Sequence, residues 1–290
     1  MTPSPTPSWS DTQLDALRRV ADEPADRAVR ALFVTRGTPA WGEMHQLLDQ
    51  LTGNAQSLPE GLPPEMHEFL AATSAIPAPE LPNIAIGEQF FAEFGPEILL
   101  LLGCYSLPAA YAAAKGVKVL CRTEFLERAA RLRLFQTAQM IVDVMSPGGL
   151  GPNGGGIRAA QRVRLLHAAI RHLILTDTSQ PWDTETLGLP INQEDMAGTM
   201  LTFSSVILKG LGKLDIVPPA AQQEAYMQAW CAIGRLMGVV PELLPPDVAS
   251  AMTLMTTIQR RQIAPSPEGV RLTSVLLDAL GEGLRRPNPP

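Results

Sequence analysis

Cysteine is scarce in this chain: Cys104, Cys121 and Cys231 are an odd number with no Cys-x-x-Cys spacing. That fits neither a disulfide framework nor a zinc site, and without Cys-x-x-Cys-His any haem would be held without thioether links. Basic residues are outnumbered, 23 Lys and Arg against 29 Asp and Glu, and they are spread along the chain, so no stripe exists to neutralise a phosphate backbone. Nucleic-acid binding is not expected. The opening MTPSPTPSWSDTQ lacks the basic start and apolar run of an export signal, so a cytoplasmic location is expected. Long uncharged stretches are also few. Ile98 to Ala114 is one, but Gly103 and Pro108 interrupt it, and it falls short of a comfortable span; a buried helix pair is expected there, and no transmembrane span. Aromatic residues are only 5 % of the chain.

What is present is 46 % hydrophobic residues, enough for a substantial core, with Ala, Leu, Met and Gln recurring throughout. Straight-chain residues lose little rotamer freedom in a helix, so the expected fold class is all-α, a multi-helix bundle. The chain divides into a disordered lead (1–10), a peripheral helical layer (11–85) broken by Pro-rich linkers at 58–64 and 76–82, a denser core (86–284) and a free tail (285–290). Within the core the pattern predicts helices at about 88–104, 106–115, 124–145 with Thr123 as cap, 157–175, one starting after Asn192, then 219–238, 246–260 and 267–284.

On the 157–175 helix, Val163, His167, Ile170 and Ile174 fall on one apolar stripe, so His167 points inward, while His172 faces elsewhere. Arg164 and Arg171 flank His167 at −3 and +4. Guanidiniums beside a buried stripe demand anions. Two readings meet that pattern. One is a haem, with His167 as axial ligand and the arginines on its propionates; the other is a hydrogen-bonded core histidine with the arginines paired to Glu194, Asp195 or Asp143. Thr137 and Thr199 also lie on apolar stripes, the second on Met196, Thr199, Phe203, Val206 and Gly210. Each either lines a pocket or satisfies its hydroxyl on the carbonyl four residues back.

The loop SPGGLGPNGGG (146–156) contains a formal G-x-G-x-x-G match at Gly149, Gly151 and Gly154. It follows a helix, holds a proline and has no acidic residue in a βαβ setting, so a dinucleotide site is rejected; the glycines let two helices turn tightly and pack.

Three strings, LPAAYAAAKGVKVL, FQTAQMIVDVMSPGGLGPNGGGIRAAQRVRLLHAAIRHLI and GLPINQEDMAGTMLTFS, together resemble the latex-clearing-protein and MpaB-type haem oxygenase family, densely over 107–205, and RRQIAPSPEG at 260–269 agrees. The resemblance implies an all-helical fold with a globin-like core, one haem b and its iron, and use of dioxygen to cleave double bonds of apolar isoprenoid chains. By motif it places the proximal ligand at His167, with Arg164 three residues earlier. Distal and NQED…GT threonines fall on Thr137 and Thr199, and Arg171 is a further cofactor-binding candidate. The chain departs from rubber-cleaving relatives in three ways. Gln136 stands where they have a lysine; Glu124 and Glu127 are the nearest carboxylates to their general base but do not match its spacing; and neither an export signal nor a C-terminal extension is expected. The expectation is therefore a haem-dependent oxygenase of a small or medium apolar alkene rather than of polyisoprene. A haem-binding sensor or carrier without turnover, and a helical apolar-ligand binder that has lost haem, are the alternatives.

Overall fold

The computed structural model describes residues 8–36, 40–122 and 130–285. Among them the regular structure is helical, and the one β pairing is an isolated bridge between Ala113 and Ile263. The all-α expectation holds. Four helices precede the core: α1 (Asp11–Leu17), α2 (Glu23–Arg36), α3 (Ala40–Gln50) and α4 (Pro64–Ala72). Residues 9 and 10, expected to be disordered, are instead built in. Ser10 forms a capping box with Gln13, and the Trp9 indole donates to the Glu242 carbonyl at 2.8 Å.

The second part begins with α5 (Leu81–Leu101), which kinks at Phe94 (φ −108°, ψ 17°) just before Pro96 and continues through a π turn, Leu102–Ser106, into α6 (Leu107–Tyr111). The expected helix pair is thus one irregular helical stretch, because Pro108 falls in the first turn of α6, where its missing N–H costs nothing. Ala78–Tyr111 is long and apolar enough to cross a membrane by length and composition, a test that core helices of soluble proteins also pass; 39 % of its most apolar window is buried. Then follow α7 (Val117–Cys121), α8 (Ala130–Met145), α9 (Gly156–Thr176), the one-turn α10 (Thr184–Leu187), α11 (Gln193–Phe203), α12 (Ser205–Lys213), α13 (Ala220–Leu236), α14 (Val248–Gln262) and α15 (Pro267–Arg285). The helix predicted after Asn192 breaks at Ser204 (φ −115°, ψ −81°), so the Met196 to Gly210 stripe belongs to two helices and not to one face.

Two hydrophobic clusters result. The larger joins α5, α8, α11, α12, α13 and α14 around Phe90, Ile141, Leu201, Ile207, Trp230 and Leu254. Here α5 approaches α13 so closely that a Cβ on Gly87 would lie 2.6 Å from that of Ala229, and Phe90 meets Tyr226 at 4.5 Å between ring centroids. The smaller joins α2, α3 and α4 to Leu165, Ala168 and Ala169 of α9. Helix α9 therefore holds the outer layer to the core.

Candidate functional site

The start of α9 is fixed from outside. Asn54 Nδ2 donates to the Gly149 and Gly151 carbonyls at 2.9 and 2.6 Å, while its Oδ1 accepts from the Ile157 and Arg158 amides at 3.0 and 3.3 Å. The glycine loop is thus closed on a carboxamide, and two free amides of the helix N-terminus are taken. Side chains are impossible in part of this turn: a Cβ on Gly154 would fall 2.1 Å from the Gly149 carbonyl oxygen, and one on Gly156 2.6 Å from that of Asp143. The packing role expected of these glycines is what the structure shows.

Both arginines are buried, and both are neutralised by the N-terminal layer. Arg164 makes a two-point contact with Asp22, Nε to Oδ2 at 2.5 Å and Nη2 to Oδ1 at 2.8 Å. It also donates to the Leu236 carbonyl at 3.2 Å and lies 5.0 Å over the Phe69 ring. Arg171 pairs with Asp26 and donates to the Pro190 and Ile191 carbonyls, each at 2.9 Å. Arg164 and Arg171 thus each meet a carboxylate, as one expectation had it, but the acids are Asp22 and Asp26 and not the expected Glu194, Asp195 or Asp143. Those three acids are engaged elsewhere. Glu194, fully buried, accepts from Arg18 at 3.2 Å, Arg261 at 2.7 Å and Gln262 at 2.8 Å; Asp195 takes Arg18 at 2.8 Å, and Asp143 faces Arg162 at 3.9 Å. Burial raises the carboxyl pKa of both Asp26 and Asp195 against the pull of their arginines.

His167 differs from these neighbours. Val163, Leu166, His167 and Ile170 form a half-buried stripe, while only Ile174 at its end is fully packed, so the apolar face is less covered than periodicity predicted. The Nδ1 of His167 is sealed from solvent and has no hydrogen-bond partner. Burial, reinforced by the Arg171 charge and opposed by Asp22, pushes the imidazole pKa down to about 4, so the ring is neutral at physiological pH. A neutral imidazole with an unpartnered buried nitrogen is suited to ligating a metal. Among the described residues no group of three or more His, Cys, Asp or Glu is placed to hold an ion. Among the described residues, then, His167 does not belong to a set of three or more such side chains that could hold an ion.

The other candidates divide. Thr137, on α8, is half-buried and Gln136 beside it exposed. Thr137 lies about 12 Å back along α8 from its C-terminal end and His167 about 16 Å along α9 from its start, at 1.5 Å rise per residue. Thr199 is exposed, not inward, and its hydroxyl donates to the Asp195 carbonyl four residues back at 2.9 Å. Glu124, Glu127 and Thr123 lie outside the described residues. Asp22, Asp26 and Asn54 escaped the sequence reading. Acids one turn apart opposite arginines two turns apart are a faint signal, and only topology pairs them.

Residues 91–290, more than half of the chain, match the family described as ER-bound oxygenase mpaB/B'/rubber oxygenase, catalytic domain. The chain belongs to this family. It is similar to the rubber oxygenase of Streptomyces sp. (strain K30), with 28 % identity over 276 residues, 92 % of this chain and 66 % of that protein; it thus spans just under two thirds of that relative's length. The solved structure of latex clearing protein in the closed state superposes with a TM-score of 0.80 at 26 % identity, over 91 % of this chain and 71 % of that one. The layer carrying Asp22, Asp26 and Asn54 lies outside the family-matched segment.

Proposed function

We propose that this protein is a haem b-dependent oxygenase that joins dioxygen to a small or medium apolar alkene of isoprenoid kind, and that His167 would hold the haem. The observation that carries the reading is the buried, unpartnered Nδ1 on a neutral ring set in an apolar stripe. A single imidazole cannot by itself fill an iron coordination sphere, and a porphyrin would supply further nitrogen ligands. The family and the rubber oxygenase relative supply the chemistry class.

A bound haem iron would supply the electron that activates dioxygen. The protein's own residues do the rest. His167 keeps its lone pair free because its proton is lost far below neutral pH. Val163, Leu166 and Ile170 offer a hydrocarbon wall that favours an apolar substrate over water. Thr137 offers a hydroxyl on the neighbouring helix, and Glu124 or Glu127 is assigned as the base if an allylic proton must leave.

An absorption spectrum of the purified, haem-supplied protein, with and without reductant and carbon monoxide, tests the first half. A Soret band lost in His167→Ala supports it; no band, or a band unchanged in that variant, overturns it. Oxygen uptake with a panel of terpene-like alkenes, followed by carbonyl detection, tests the second half. A Soret band without uptake on any alkene would make the protein a haem binder and not an oxygenase.

A further inference from the structure

Helix α9 is held by two grips on the side of its wheel that carries Arg164 and Arg171. These residues are seven apart, about 10 Å along the axis, with His167 between them. Two anchors at that separation leave the helix little freedom to slide or to turn, and so fix the direction in which the imidazole between them points. Both anchors end on acids one turn apart at the start of α2, where the Asp22 carbonyl accepts from the Asp26 amide at 2.9 Å. The Asp22–Arg164 pair is also boxed in. A Cβ on Gly238 (φ +88°) would lie 2.5 Å from Asp22 Oδ2 and 2.7 Å from Arg164 Nε, so the ion pair lies directly against a bare backbone. Arg164 spends three of its five N–H donors on this grip: Nε and Nη2 donate to Asp22 and Nη1 to the Leu236 carbonyl, while its face lies on Phe69.

Resting on the haem reading above, we propose that Asp22, outside the family-matched segment, is a positioning residue that fixes His167 through Arg164 and so governs the affinity and the potential of the iron. The geometry assigns two effects. Losing the grip lets α9 relax, and groups that hold a metal-binding imidazole from behind typically change metal affinity by about 10- to 100-fold when removed. Losing the negative charge leaves Arg164 uncompensated near the ligand, which disfavours the more positive ferric state.

The test uses the full chain with 15N-labelled histidine, which gives signals from four residues, the His167 signal being assigned from His167→Gln. In the haem-free protein, Asp22→Asn is expected to shift the ring-nitrogen signals of His167 while leaving those of His67, on α4, in place. Asp22→Glu, which keeps the charge, is expected to restore them in large part. In the haem-loaded protein, Asp22→Asn is expected to bind haem about tenfold more weakly and to show a raised midpoint potential, a change that mere loss of stability does not produce. Unmoved His167 signals, or an unchanged affinity and potential, overturn the proposal. If Asp22→Asn cannot be purified, Asp22→Asn combined with Arg164→Gln removes both charges together; a His167 signal identical to wild type in that variant overturns it equally. Should the wild-type protein take up no haem, the haem reading fails, while the haem-free ring signals still decide whether Asp22 positions His167.

Discussion

The two sides of α9 make opposite use of burial. On the one carrying Arg164 and Arg171, each charge meets a carboxylate and backbone carbonyls. Beside it the stripe is apolar and half open, and its one polar atom out of water, Nδ1 of His167, has no partner. A satisfied polar cluster holds structure together; an orphaned polar atom is a standing cost of about 1–3 kcal/mol that is offset only when something binds it. Along this stretch of α9, therefore, the paired charges mark the scaffold and the neutral ring marks the candidate site.

The sharpest challenge to that contrast is a charge removed from the scaffold. Glu194 holds Arg18, Arg261 and Gln262 with no solvent contact, and Glu194→Ala leaves Arg18 buried without its full complement of acids. A loss of about 4 kcal/mol is expected by denaturant unfolding; a loss under about 1 kcal/mol would show that these ion pairs do not behave as buried ones. Next is the pH dependence of the haem-free protein. The folded-state pKa of His167 is about 4 against an ordinary 6.5, so between those values the unfolded chain binds more protons. Stability from this group is whole above pH 6.5 and falls by up to about 3 kcal/mol as pH drops to 4. His167→Leu is expected to flatten that part of the profile, read from urea melts at several pH values. Smaller again, Asn54→Ala removes the carboxamide that closes the glycine loop and should cost about 2 kcal/mol, visible as a lower Tm. Last, Thr199→Val should change stability by no more than about 0.5 kcal/mol, because that hydroxyl is exposed and bonded to its own helix. An effect on haem uptake as large as that of His167→Ala would return Thr199 to the site.

Helix-scale features were legible in the chain itself. The limits of α9 and α13 to α15 came within about two residues, and the Asn192 cap is observed, its side chain accepting from the Asp195 amide at 3.1 Å. The threonine back-bond was foreseen as one of two readings, and for Thr199 it is the one that holds. The break at Ser204 was not legible, since no proline or glycine marks it and the apolar pattern runs straight through.

Residue order by itself determined that the chain is helical, that its glycine loop serves a tight turn, and that His167 and two arginines share one stretch of helix, because periodicity and turn chemistry are local. Only the folded molecule decided which acids those arginines meet, that the apolar stripe stays half open, and that Nδ1 is left alone. Pairing Asp22 with Arg164 spans 142 residues; which distant groups become neighbours is set by how helices stack, and no local pattern encodes it.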